Sequence, residues 1–115
     1  MAELQLMVDG VVVKSFALEK GKTTIGRSQK NDIVIDEDAV SGEHACIEVV
    51  PNELMDGVFD TFIEDLGSTN GTFVNEERVK RQQLYNSDNI RIAWTNFKLV
   101  FGLDDDLEQT SVIAQ

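Results

Sequence analysis

Apolar and polar residues alternate with a period of two over most of this chain. Leu4, Leu6 and Val8 alternate with Glu3, Gln5 and Met7, an Asp9-Gly10 pair follows, and Val11 to Leu18 resume a strand-forming run. That period puts successive side chains on opposite faces of a strand, and Asp-Gly suits a two-residue turn, so the N-terminal segment predicts a β-hairpin. Short β-branched or aromatic runs recur at Thr23 to Ile25, Ile33 to Ile35, His44 to Val50, Val58 to Glu64, Thr72 to Val74, Arg78 to Lys80, Ile90 to Trp94 and Phe97 to Phe101. Turn formers stand between them at Lys20-Gly21, Asn31-Asp32, Asp56-Gly57, Gly67 to Gly71, Asn75 and Asn86 to Asn89. No helical pattern is long enough to cross over a parallel sheet. The class is therefore all-β, an antiparallel sandwich of short strands.

A chain of 115 residues suits a single core. The composition shifts only after Gly102, where Asp104 to Asp106 begin an acidic stretch, so the expected division is a β-domain over residues 1–102 and a flexible acidic tail over 103–115. No apolar run approaches the roughly 20 residues of a membrane-spanning helix, and the N-terminus lacks a secretory pattern. The single cysteine, Cys46, excludes an intrachain disulfide and a multi-cysteine metal site, which points to a reducing, cytoplasmic setting.

Charge narrows the partners. Against 10 basic residues stand 21 acidic ones, a formal net charge of -11. General attraction to nucleic acid or to an anionic membrane is disfavoured on that balance, and neither is expected as a partner. An anionic ligand would need a local cationic site working against the field of the whole molecule.

Several motifs resemble chemistry that their surroundings do not support. Gly21-Lys22-Thr23 ends like a phosphate loop, but the glycine required five residues earlier is Phe16 and a strand-like run follows. Asp104 to Asp106 lack the alternate spacing and closing glutamate of a calcium loop. His44 and Cys46 are two apart, as a catalytic pair on one strand face would be, yet a lone cysteine in a β-rich core is an apolar filler and no second histidine exists. No metal, cofactor or enzymatic activity is expected.

Three segments beside strands carry the remaining signal. In Gly26-Arg27-Ser28-Gln29-Lys30-Asn31-Asp32-Ile33, glycine frees the backbone and arginine offers a planar fork for a phosphate. Ser41-Gly42-Glu43-His44 supplies a hydroxyl donor and a bracing imidazole. Asp65-Leu66-Gly67-Ser68-Thr69-Asn70-Gly71-Thr72 supplies small hydroxyl and amide groups that can hydrogen-bond a peptide backbone.

In this order and spacing, Gly26-Arg27, Asn31-Asp32-Ile33, Ser41-x-x-His44-Ala45 and Asp65-x-x-Ser68-x-Asn70-Gly71-Thr72-x-Val74-Asn75 resemble the forkhead-associated (FHA) domain, a phosphothreonine-peptide recognition family. The resemblance runs from about Gly21 to Phe101. It implies a β-sandwich of about eleven strands whose loops at one end bind phosphopeptides, with Arg27 and Ser41 on the phosphate, Thr69 at the phosphothreonine and Asn70 on the peptide main chain. Gly26, His44 and Gly71 would organise the loops. Lys30 is the candidate auxiliary contact. Gly42, the second auxiliary position, follows Ser41 where the family often carries arginine or asparagine, and Ala39 stands where some members carry a basic residue that reads the third position after the phosphothreonine. An apolar preference there follows. The implied partners are phosphothreonine-containing proteins made by a Ser/Thr kinase, in signal transduction. A structural or assembly domain with a degenerate pocket is the alternative. Thr110, in acidic sequence with Val112 and Ile113 close behind, is a candidate phosphosite and self-ligand. The expected state is a monomer unless that tail is phosphorylated.

Overall fold

The computed structural model describes residues 2–19 and 21–102. Eleven strands lie in this part of the chain: β1 (Ala2–Val8), β2 (Val11–Leu18), β3 (Gly21–Gly26), β4 (Ile33–Val34), β5 (Ala45–Pro51), β6 (Phe59–Asp65), β7 (Thr72–Val74), β8 (Glu77–Arg78), β9 (Arg81–Leu84), β10 (Asn89–Ile92) and β11 (Thr95–Phe101). One sheet runs in the order β2-β1-β11-β10-β7-β8 and the other β4-β3-β5-β6-β9.

The alternation sets which face each strand buries. Leu4, Ile25, Ile47, Ile63, Ile90, Ile92, Phe97 and Leu99 all point inward and are almost wholly buried, forming the core between the sheets. Burial of each such side chain contributes about 1.5 to 3 kcal/mol. The predicted hairpin is present, and Asp9 (φ 52°) and Gly10 (φ 78°) both adopt the left-handed region that its tight turn needs. β9 had no predicted counterpart, and its neighbour β8 covers Glu77–Arg78 rather than a run reaching Lys80. The predicted run to Trp94 stops at Ile92, because Ala93 turns the chain with φ 55°.

One pairing departs from the antiparallel expectation. β3 and β4 pair in parallel, with Ile25 opposite Ile33 and Gly26 opposite Val34. The loop between them folds back because Asp32 and Thr24 tie its base: the Thr24 amide donates to Asp32 Oδ2 at 2.9 Å, and the Asp32 amide donates to Thr24 Oγ1 at 3.0 Å.

The registers set the position of the loops. Ala45 lies opposite both Ile25 and Asp65, and Ile92 lies opposite Thr72, so the β3–β4, β4–β5, β6–β7 and β10–β11 connections all emerge at one end. Ala2 and Phe101 are paired at the other end.

Candidate functional site

The β3–β4, β4–β5 and β6–β7 loops hold one another rather than standing apart. Arg27 follows β3, where its amide donates to the Ser41 carbonyl at 2.9 Å and its Nε donates to the Val40 carbonyl at 3.1 Å. These two bonds fix the start of the side chain and the plane of the guanidinium. The two terminal amino groups of Arg27 have no acceptor among the described residues. They remain available at the surface.

Ser41 is bonded through three atoms. Its carbonyl accepts from Arg27, its amide donates to His44 Nδ1 at 3.1 Å, and its Oγ accepts from the Thr69 amide at 3.2 Å. The hydroxyl proton has no acceptor among the described residues. His44 is fully buried just before β5. With Nδ1 accepting from Ser41, the proton lies on Nε2, which donates to the Gly71 carbonyl at 2.7 Å. One neutral imidazole thus joins the β4–β5 loop to the β6–β7 loop. Asn70 adds a second joint, its Nδ2 donating to the Ala39 carbonyl at 2.7 Å.

Two glycines are required by their surroundings. A Cβ on Gly26 would lie 2.3 Å from the Gly42 carbonyl oxygen, so only glycine lets the two loops approach. Gly71 has φ +92°, and a Cβ there would meet the Arg78 guanidinium at 2.8 Å. Gly42 serves through its carbonyl, which accepts from the Asn31 side chain at 2.7 Å and from the Ser28 amide at 3.1 Å. The Lys30 side chain is exposed on the same loop and has no partner among the described residues, while its amide donates to Ser28 Oγ.

The β6–β7 loop is wound around Asp65. Its carboxylate accepts from the Gly67 and Ser68 amides, both at 3.0 Å, from Ser68 Oγ at 2.5 Å and from Thr72 Oγ1 at 2.7 Å. Burial alone would push this carboxyl up. The Ser68 and Thr72 hydroxyls and the two amides together outweigh burial and hold it below the ordinary aspartate range. Asp65 therefore stays ionised and keeps Thr69 and Asn70 in place.

The structure brings Arg27, Ser41, Thr69 and Asn70 together, with Gly26, His44 and Gly71 behind them. No hydrogen bond joins His44 to Cys46 among the described residues. His44 is committed to the loops, and Cys46 is buried opposite Glu64. Burial pushes the Cys46 thiol up; Lys22 pulls the other way, and Glu48 and Glu64 add to the rise. That is the reverse of an activated nucleophile. Among the described residues no cluster of His, Cys, Asp or Glu could hold a metal ion, and no helix is long and apolar enough to cross a membrane. Asp104 to Asp106 and Thr110 lie outside the described residues.

Asp65, Asn31 and Arg78 were not among the predicted site residues. Asp65 and Asn31 sit inside the quoted motif, so its spacing could have flagged them. Arg78 packs against Gly71 and has no carboxylate partner among the described residues, whereas Arg91 is paired with Glu76 at 3.2 Å and Arg81 with Glu48 at 3.8 Å. Its sequence surroundings carry no sign of this.

The family model described as the FHA domain matches residues 23–93. An oxoglutarate dehydrogenase inhibitor of Corynebacterium efficiens is 41% identical over 86 residues, covering 75% of this chain and 54% of that protein. The glycogen accumulation regulator GarA of Mycobacterium tuberculosis is 37% identical over 86 residues, covering 75% of this chain and 48% of that protein. The chain thus spans about half the length of these curated relatives, which are named for inhibition and regulation rather than for catalysis. A solved structure from work on phosphothreonine-dependent FHA domain interactions superposes with a TM-score of 0.73 at 32% identity, covering 88% of this chain and 96% of that one. This chain belongs to the FHA domain family of phosphothreonine-dependent interaction modules.

Proposed function

We propose that the loop cluster binds the phosphothreonine of a partner protein, with Arg27 and Ser41 on the phosphate, Thr69 beside the phosphothreonine and Asn70 on the peptide main chain. The observation that carries this is the Arg27 side chain, held by Nε on the Val40 carbonyl while its terminal amino groups have no acceptor among the described residues. A planar cation so placed offers charge-assisted, bidentate bonds to a dianionic phosphate. Lys30, on the same loop, adds an auxiliary charge. A Ser/Thr kinase acting on the partner in the cytoplasm would create the ligand, and binding would change what that partner does, as the names of the two relatives suggest for them.

Thr110, if phosphorylated, would dock onto a second molecule. The chain runs to it from Phe101, at the end of the sandwich opposite the cluster.

The test is a titration with a phosphothreonine peptide and its unphosphorylated twin. Only the phosphorylated peptide is expected to bind, and Arg27→Ala should weaken it roughly 10 to 150-fold, the loss of one charged hydrogen bond of about 1.5 to 3 kcal/mol, with the fold intact. Undiminished affinity in a folded Arg27→Ala protein would overturn the assignment.

A further inference from the structure

A groove adjoins the loop cluster. Between the β1–β2 and β10–β11 turns on one side and the Ile33 to Val40 segment on the other lies a groove of about 550 Å³, a size that takes several side chains rather than one. Its walls include Leu6, Val8, Phe16, Ile35, Ala39 and Trp94. Trp94 is 67% exposed and Val8 50%. The indole is nevertheless held by a fixed backbone, because the preceding Ala93 is fully buried and its amide donates to the Gly71 carbonyl at 3.0 Å. An anchored turn that presents a tryptophan to solvent suits an aromatic binding anchor.

Two observations say what enters the groove. It is continuous with the loop cluster through Ala39, which lines the groove and accepts the Asn70 side-chain amide at its carbonyl. Its charged lining residues are Asp9, Asp36 and Glu37, with no lysine or arginine among them. An occupant is therefore apolar where it meets Trp94 and positive at its flanks, and the net charge of -11 favours the same sign.

We propose that the partner is read at two points on one stretch of its chain: the phosphothreonine at the loop cluster, and apolar side chains flanked by Lys or Arg in this groove. The proposal rests on the reading of the loop cluster given above. It makes the ligand bipolar, a phosphate on one side and a basic, apolar segment on the other.

Two synthetic probes share one phosphothreonine. The plain probe has Gly-Ser repeats on both sides, and the extended probe has Leu-Lys repeats on both sides. The full chain should bind the extended probe at least about fivefold more tightly, the effect of one interface anchor above about 1 kcal/mol. Trp94 is the only tryptophan of the chain, so its emission reports the groove directly: it should shift to shorter wavelength with the extended probe and stay unchanged with the plain one. Trp94→Ala should remove the preference while leaving the plain probe unaffected. The charge reversals Asp36→Lys and Glu37→Lys together should do the same, without touching the apolar wall.

The proposal is overturned if the plain probe binds in a phosphate-dependent way and the extended probe binds no tighter. It is equally overturned if the preference survives both variants, or if the unphosphorylated extended probe binds as well as the phosphorylated one. Failure of both phosphorylated probes to bind the native chain would remove the loop-cluster reading, and this proposal with it.

Discussion

The two ends of the sandwich are built from similar turn-forming residues and are held in different ways. At the end that carries Arg27, each loop is bonded to another loop: Asn31 to Gly42, Thr69 to Ser41, Asn70 to Ala39, and His44 to Gly71. At the opposite end the loop from Asn52 to Val58 is bonded chiefly to itself. Asn52 Oδ1 accepts from the Leu54 and Met55 amides, and the Asn52 amide donates to the Val58 carbonyl. The first arrangement spends side-chain polar groups on the mutual placement of three loops, which removes their freedom before a ligand arrives. The second closes a turn and adds one bond, from Asn52 Nδ2 to the Asp60 carboxylate on the adjoining strand. Preorganisation is thus a property of one end, and substitutions can test it.

Paired glycine substitutions should give the largest contrast. Gly26→Ala puts a methyl 2.3 Å from the Gly42 carbonyl oxygen, backbone that cannot swing aside, so a loss of about 3 kcal/mol or more and loss of phosphopeptide binding are expected. Gly57 at the far end has φ +80° and open space around a Cβ. Gly57→Ala should cost only the left-handed strain, about 1 kcal/mol, with affinity unchanged. Denaturant unfolding of both proteins measures this, and equal costs would break the comparison.

Removing the buried imidazole comes next. His44→Ala leaves the Ser41 amide and the Gly71 carbonyl without their joint partner, and should cost about 1 to 3 kcal/mol while also weakening binding. Asn52→Ala removes two bonds to its own turn and one to Asp60 on β6, and should cost about 1 kcal/mol with binding intact. A His44→Ala protein that melts normally and binds normally would leave the loops independent of one another.

Acid offers a gentler probe of the same end. The folded pKa of Asp65 is depressed, so its contribution to stability is complete above the aspartate range of the unfolded chain and is lost as pH falls through the folded value. Stability should therefore rise with pH across the acid range, and Asp65→Asn should flatten that rise. An acid slope unaffected by the substitution would mean that other carboxylates carry it.

These effects bear on what was legible beforehand. The β1–β2 hairpin was readable because Asp9 and Gly10 tolerate the left-handed region and the flanking residues alternate. β9 was not, because Arg81-Gln82-Gln83-Leu84 has no β-branched residue and is a strand by virtue of pairing with β6. The turn at Ala93 was hidden for a related reason. No turn former stands there, and its strained φ is held by burial and by the bond to Gly71. In the loop cluster, Arg27, Ser41, Thr69 and Asn70 were named through the family resemblance of the motifs that carry them, and all four stand on loops just outside strand ends. Arg78 was not named, since its nearness to Gly71 depends on how β7 and β8 pair.

The smallest effect is expected at Leu54, and it is informative because it is small. Leu54 is 93% exposed at the tip of the far loop, where only its amide is engaged. Its side chain buries almost nothing, so Leu54→Ser should change stability by less than about 0.5 kcal/mol, and phosphopeptide affinity should not move. An exposed leucine there looks on sequence grounds as much like a contact residue as Trp94 does; the difference is that Trp94 stands on a turn bonded to the β6–β7 loop and beside a groove, whereas Leu54 has neither. A clear loss of partner binding in Leu54→Ser, measured on the same probes as Trp94→Ala, would show that the far end also engages the partner, and that the bonds between loops do not by themselves mark the binding end.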